Sequence, residues 1–185
     1  MIPATIKKSN ILVTGPPGCG KSTLIEKVIN SIEVPATGFF TREIKDKDRR
    51  VGFSIKTLGG GEGVLAHQNI RSQFRVGKYG VNIEDIDSLA VSSILPAQRE
   101  QVIVIDEIGK MECFSAFFKE TLIQVLDSPN FVIGSIALKG DSFIQGIKNR
   151  EDVSVICIAQ QNRDSFVDQI LGFINKDMQK KEVTP

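Results

Sequence analysis

The chain has 185 residues, 41% of them hydrophobic, and a formal net charge of +1, enough for one globular domain with a sizeable core. The near-neutral balance gives no basic footprint for nucleic acid, and no apolar run approaches the roughly 20 residues that cross a bilayer. Cys19, Cys113 and Cys157 are odd in number and widely spaced, form no metal pattern and suit a reducing compartment; with no signal-peptide stretch in MIPATIKKSN, a cytoplasmic protein is expected.

In chain order, Ile11–Thr14 is a short apolar run and is predicted as a strand. Glycines follow, and Lys21–Asn30 is predicted as a helix. Thr37–Ile44, Arg50–Leu58 and Val64–His67 read as extended segments joined by the turn-like KDKD and GGGEG. A β-hairpin or small antiparallel meander is therefore expected at about 36–68. Val81–Leu95 contains a helix, with Asn82 or Glu84 near its start and Pro96 past its end. Val102–Ile105, Phe131–Leu138 and Val153–Ala159 repeat the Val- and Ile-rich pattern with little alternation, as strands buried on both faces of a parallel sheet do. Helices follow each: Ser115–Leu126, Asp141–Lys148 behind an Asp suited to capping, and Arg163–Asn175. Phe114, Phe117 and Phe118 are read as core packing. The alternation predicts an α/β fold: one domain over 1–175 with a mostly parallel central sheet, helices on both faces, the inserted β-hairpin, and a flexible, charged tail over 176–185.

Gly15, Pro16, Pro17, Gly18, Cys19, Gly20, Lys21 and Ser22 spell G-x-x-x-x-G-K-[ST] between a strand and a helix, with Thr23 next in line. Glycines let successive backbone N–H groups converge, and the helix start adds its positive dipole end. Such a cradle binds polyphosphate. Lys21 would reach the β- and γ-phosphates, and the Ser22 hydroxyl would ligate Mg²⁺.

Downstream, Val102, Ile103, Val104 and Ile105 lead into Asp106 and Glu107, two carboxylates at the C-terminal end of a central strand, where open α/β sheets bind ligands. Asp106 is the candidate metal carboxylate; a strand-end turn or helix cap is the structural alternative. Glu107 is the candidate base for an attacking water, against an ion-paired structural role. Arg42, on the expected hairpin, is a candidate phosphate contact or an exposed charge. Arg49 and Arg50 are further candidates for positive charge at the phosphates, but they flank a turn and read as solvated. Lys78 marks a second anion site or a plain loop. Asn162 and Arg163, after the last strand, are candidates for the base or sugar, or else for helix capping by Asn162 or Asp164. His67, without a partner in the sequence, reads as structural or exposed.

The stretches GPPGCGKSTL, GFFTREI with RRVGFSI, VGKYGVN, VIVIDEIGKMECFS and QNRD together resemble the thermostable nucleoside-triphosphatase family, from Ile11 to about Ile174. The resemblance implies a three-layer P-loop NTPase fold related to the RecA-like group. It implies Mg²⁺-dependent hydrolysis of ATP, GTP, CTP, UTP and TTP to the diphosphate with broad base tolerance. By motif match, Gly15 to Ser22 and Val102 to Gly109, including Ile108, would line the nucleotide site. Cys19 stands where many relatives carry a small aliphatic residue. Two other readings share the cradle: a small nucleotide or polynucleotide kinase, and a nucleotide-dependent regulatory switch. Nucleoside triphosphates are the expected partners, with neither membrane nor nucleic acid, and a monomer is expected.

Overall fold

The computed structural model describes residues 10–98 and 100–183. In chain order it contains β1 (Asn10–Thr14), α1 (Lys21–Ile29), β2 (Ala36–Asp46), β3 (Arg49–Thr57), β4 (Glu62–His67), β5 (Arg75–Val76) and β6 (Tyr79–Val81). There follow α2 (Ile83–Asp85), a π-helical turn (Ile86–Val91), α3 (Ser92–Ile94), β7 (Val102–Ile108), a 3-10 turn (Glu112–Phe114) and α4 (Ala116–Asp127). The chain closes with β8 (Phe131–Ile136), α5 (Ser142–Lys148), β9 (Val153–Cys157), a 3-10 turn (Arg163–Phe166) and α6 (Val167–Val183).

Among the described residues the strands form one nine-stranded sheet in the order β5-β6-β4-β3-β2-β7-β8-β1-β9. Pairing is parallel from β2 through β7, β8 and β1 to β9. It is antiparallel from β2 outward through β3, β4, β6 and β5. Side chains alternate across each central strand, and both faces are apolar. Ile11 and Val13, with Val102 and Val104, pack under α1 and α6. Leu12, Ile103 and Ile105 face the opposite way, against α4, α5 and the Ile83–Ile94 helical segment. Two cores separated by one sheet are the three layers, and the α/β class holds.

Four details differ from the expectations. The antiparallel part is larger than a hairpin at about 36–68. Its first strand, β2, is also a core strand, with Phe39 opposite Ile105 and Phe40 opposite Asp106 in parallel register with β7, and β5 and β6 extend the sheet to Val81. The helix expected within Val81–Leu95 is present and is capped by Asn82, whose side chain accepts the Asp85 N–H, but a π-helical turn fills its middle. Phe118 is fully buried and Phe114 packs on the core, whereas Phe117 is 52% exposed. Adjacent helical residues point about 100° apart, and the buried stripe of α4 runs through Phe118, Leu122 and Val125, which leaves Phe117 at its edge. Lastly, α6 continues to Val183 where a frayed tail is expected from 176. Met178, four residues after Ile174 and eight after Ile170, extends the buried stripe by one turn. Residues 184 and 185 lie outside the described residues. No helix among the described residues is long and apolar enough to cross a membrane.

Candidate functional site

The loop from Gly15 to Gly20 leaves the carboxyl end of β1 and turns into α1. Gly20 occupies the N-cap position at φ +93°, a left-handed conformation that suits glycine. A Cβ there would also lie 2.6 Å from the Arg163 guanidinium, which covers this side of the loop. No side chain caps α1, and its first turn carries no acid. The first N–H groups of a helix lack intrahelical acceptors, so these donors are available to an anion. Lys21 Nζ folds back onto the Gly15 carbonyl at 3.3 Å. Pro16, Pro17, Gly18 and Thr23 are exposed, whereas Cys19 is buried beneath the loop in the α1–α6 core. The Cys19 thiol therefore packs rather than facing a ligand. The three cysteines are unpaired.

Asp106 is the buried acid of this end of the sheet, 1% exposed. Its Oδ1 accepts a hydrogen bond from Ser135 Oγ, on the neighbouring strand β8. Its Oδ2 is buried, accepts no hydrogen bond, and has Arg42 Nη1 at 4.0 Å. Burial pushes the Asp106 carboxyl above its ordinary range, against the lowering effects of Ser135, Ser22, Arg42 and Lys21. What this oxygen lacks is a partner in direct contact. A divalent ion held by Ser22 and Asp106 fits that need, and phosphate oxygens would have to supply further ligands. Among the described residues no three His, Cys, Asp or Glu side chains group to form a metal cage. Magnesium bound together with nucleotide commonly takes so few protein ligands.

Glu107 is half-buried and faces the same cleft. Burial raises its carboxyl above the ordinary range, Lys21 lowers it, and Asp106 raises it further. A carboxylate with raised proton affinity beside a phosphate cradle is a stronger proton acceptor than an exposed glutamate. Val102, Ile103, Val104, Ile105 and Ile108 are fully buried; they carry the two acids to the cleft and do not line it.

The cleft has a volume of about 410 Å³ and runs from Gly15, Lys21 and Ser22 across Glu107 to Arg42, Arg50 and Phe53. A wider concavity of about 660 Å³ on the outer face of β2–β4 lacks the phosphate loop, so the smaller cleft is the chemical site. Arg42 donates to Glu26 Oε1 on α1 and, at 2.8 Å, to the Thr41 carbonyl, with its guanidinium 4.9 Å from the Phe40 ring centre. It therefore stands in the cleft and is not a free hairpin charge. Arg50, read from sequence as solvated, lines the cleft as well. It donates to Glu43 at 2.8 Å and to the Tyr79 hydroxyl at 3.2 Å. Arg49 is exposed and lines no part of it.

Asn162 and Arg163 stay outside the cleft lining. Asn162 Oδ1 accepts the Ala159 N–H at 2.8 Å, and Arg163 donates to Asp164 at 2.9 Å. Lys78 sits at the β5–β6 turn, 5.3 Å from the Tyr79 ring centre, and reads as a loop residue. His67 ends β4, where its Nδ1 accepts the Asn69 N–H at 3.2 Å, a structural role. The residues missed from sequence are Ser135, Phe53, Thr41 and Glu112; Arg50, a sequence candidate read as solvated, is exposed and also lines the cleft. A signal existed for Ser135: it is the polar side chain in the otherwise apolar FVIGSI, near the strand's carboxyl end.

The chain is similar to known proteins along most of its length. The family described as NTPase matches residues 10–171. The chain is 41% identical over 173 residues to the nucleoside-triphosphatase THEP1 of Thermotoga maritima, covering 93% of this chain and 99% of that protein. It is 37% identical over 179 residues to the human cancer-related nucleoside-triphosphatase, covering 88% and 94%. The crystal structure of THEP1 from the hyperthermophile Aquifex aeolicus superimposes with a TM-score of 0.81 at 34% identity, covering 89% of this chain and 98% of that one.

Proposed function

The chain belongs to the NTPase family, and from that premise we propose that it is a cytoplasmic nucleoside-triphosphatase that cleaves the γ-phosphate with Mg²⁺. One observation carries the reading. The uncapped loop of Gly15–Ser22 and the half-buried Glu107 line one cleft, and Asp106, next to Glu107 in β7, is buried with its Oδ2 orphaned.

The loop N–H groups and Lys21 bind the β- and γ-phosphates, Lys21 leaving the Gly15 carbonyl to do so. Ser22 and Asp106 would hold Mg²⁺, which when bound neutralises charge on the phosphate oxygens. Ser135 fixes the Asp106 carboxylate by bonding Oδ1 and leaving Oδ2 free. Glu107 accepts a proton from the attacking water as its oxygen bonds to the γ-phosphorus, and the bond from that phosphorus to the diphosphate breaks. Arg42 supplies positive charge for the transition state from the β2 side of the cleft.

Broad base tolerance, covering ATP, GTP, CTP, UTP and TTP, is supported on the far side of the loop. There Asn162 Oδ1 takes the Ala159 N–H and Arg163 pairs with Asp164, so a base contact from either would compete with bonds the fold already makes.

The test is phosphate release across these triphosphates with and without Mg²⁺, for the natural protein and Glu107→Gln. We expect release to require Mg²⁺. The variant should bind nucleotide with unchanged affinity and turn over about 10²–10⁴-fold more slowly. Equal turnover in the two proteins would remove Glu107 from the reaction.

A further inference from the structure

The cleft does not end at Glu107. Behind it lies a second cavity of about 200 Å³, and the two share Thr41, Phe53 and Glu107 as a common wall. Hydrolysis needs room for one water, whose share of liquid volume is about 30 Å³. The cavity is several times larger. No residue of Gly15–Ser22 lines it, so Glu107 stands between this cavity and the phosphate loop, and a nucleophile held there would lie beside that carboxylate.

Its lining is selective. Phe53, Leu65, Val76 and Met111 form apolar walls. The Phe53 ring is held edge-on by Tyr79, with centres 5.4 Å apart, and the Arg50 guanidinium lies over it at 5.0 Å, so the ring is fixed in place. The polar groups inside are the Thr41 hydroxyl and two acids, Glu107 and Glu112. Glu112 is 4% exposed, and its Oε2 accepts the Gly109 N–H at 3.2 Å. Burial and the nearby Glu107 hold its carboxyl at about 8, so near neutrality it is an uncharged group able to donate as well as accept. Lys110 is exposed and stands at the rim. Among the described residues that line the cavity the one cation, Lys110, stands at the exposed rim, so no positive group inside is placed to bind a nucleotide or a sugar phosphate. Flat apolar surface with hydroxyl-bonding groups favours an uncharged molecule with a planar ring and a hydroxyl.

We propose that this chamber is an acceptor site for a nucleoside, whose hydroxyl takes the γ-phosphoryl group in place of water. The proposal rests on the reading of Glu107 as the base beside the γ-phosphate. The nucleoside oxygen forms a bond to the γ-phosphorus, its proton passes to Glu107, and the bond between that phosphorus and the bridging oxygen breaks. The products are a nucleoside monophosphate and a nucleoside diphosphate, and no other reactant is needed.

The experiment uses ATP labelled on the γ-phosphate, Mg²⁺ and the full chain. Adenosine, guanosine, cytidine, uridine or thymidine is added singly, and the labelled products are separated. Labelled nucleoside monophosphate with at least one of them is the expected result. Val76→Trp, which fills the chamber, should lower the ratio of monophosphate to inorganic phosphate; a ratio does not depend on how much variant is folded. Labelled inorganic phosphate as the sole product with every nucleoside overturns the proposal and leaves the hydrolase reading intact. Absence of any labelled product defeats both.

Discussion

At the start of α4, Ser115 Oγ accepts the Phe118 N–H at 2.9 Å, and at the start of α5, Asp141 Oδ1 accepts the Ile144 N–H at 3.0 Å. At the start of α1, Gly20 has no side chain to offer, and the donors there are left open. All three helices follow strands of the same parallel sheet at the same end. The difference separates a helix that satisfies its own terminus from one that reserves it for a ligand. The same contrast extends into the flanking loops. Just before α4, the Glu112 carboxylate takes the Gly109 N–H, whereas just before α1 only Cys19 N–H closes a turn, to the Pro16 carbonyl at 3.3 Å. A capped terminus contributes to stability alone. An open one costs stability until an anion arrives.

The sharpest way to test this contrast is at Lys21, which completes the open terminus. Lys21→Ala should lower turnover by about 10²–10³-fold and leave the melting temperature nearly unchanged, as measured by phosphate release and calorimetry. Full activity in this variant would mean that the open terminus binds no phosphate.

The next effect lies on the α4 side and depends on pH. Glu112 has an ordinary value of 4.5 and is held at about 8 in the fold. Below about pH 4.5 the carboxyl is protonated whether folded or not, and its stabilising contribution is complete. As pH rises toward 8 the unfolded chain ionises while the folded one keeps its proton, so stability is lost through that window. Glu112→Gln stays neutral throughout. Denaturant midpoints between pH 5 and 8 should fall for the natural protein by the equivalent of a few kcal/mol and stay level, at this group, for the variant. Parallel pH curves would show that Glu112 is not the group responsible.

Gly20→Ala comes third. The left-handed φ should cost about 1–2 kcal/mol, and the new Cβ must displace Arg163 from the loop. We expect lower stability and weaker nucleotide binding together, read by denaturation and by nucleotide titration. Smallest is Asp141→Ala, which removes the α5 cap, worth about 1 kcal/mol. It should shift the denaturation midpoint and leave nucleotide affinity untouched. A change in affinity would erase the distinction between the two termini.

Legibility followed locality. The cradle from Gly15 to Ser22 and the run from Val102 to Glu107 are contiguous, and each combines a strand period with its functional residues, so both could be read directly. The opposite wall could not. Thr41, Arg42, Arg50 and Phe53 lie on two strands whose position depends on β2 pairing in parallel with β7 and in antiparallel with β3. Nothing in the spacing of RRVGFSI distinguishes a solvated hairpin arginine from one facing Lys21. The same holds for Glu112, which looks like a surface acid in GKMECFS and is buried because the 3-10 turn folds it back onto Gly109. The end of α6 was misread for a smaller reason. Met178 is one apolar residue in a charged tail, and its burial depends on the core already formed by α1.

By itself the sequence determined the α/β alternation, the phosphate loop and the acids that face it, because backbone period and contiguous chemistry are local properties. Which arginines reach the cleft, which carboxylate oxygen is left without a partner, and the chamber behind Glu107 were decided by tertiary structure. These depend on strand order, register and burial, which bring together residues from β2, β3, β7 and β8 that lie far apart along the chain.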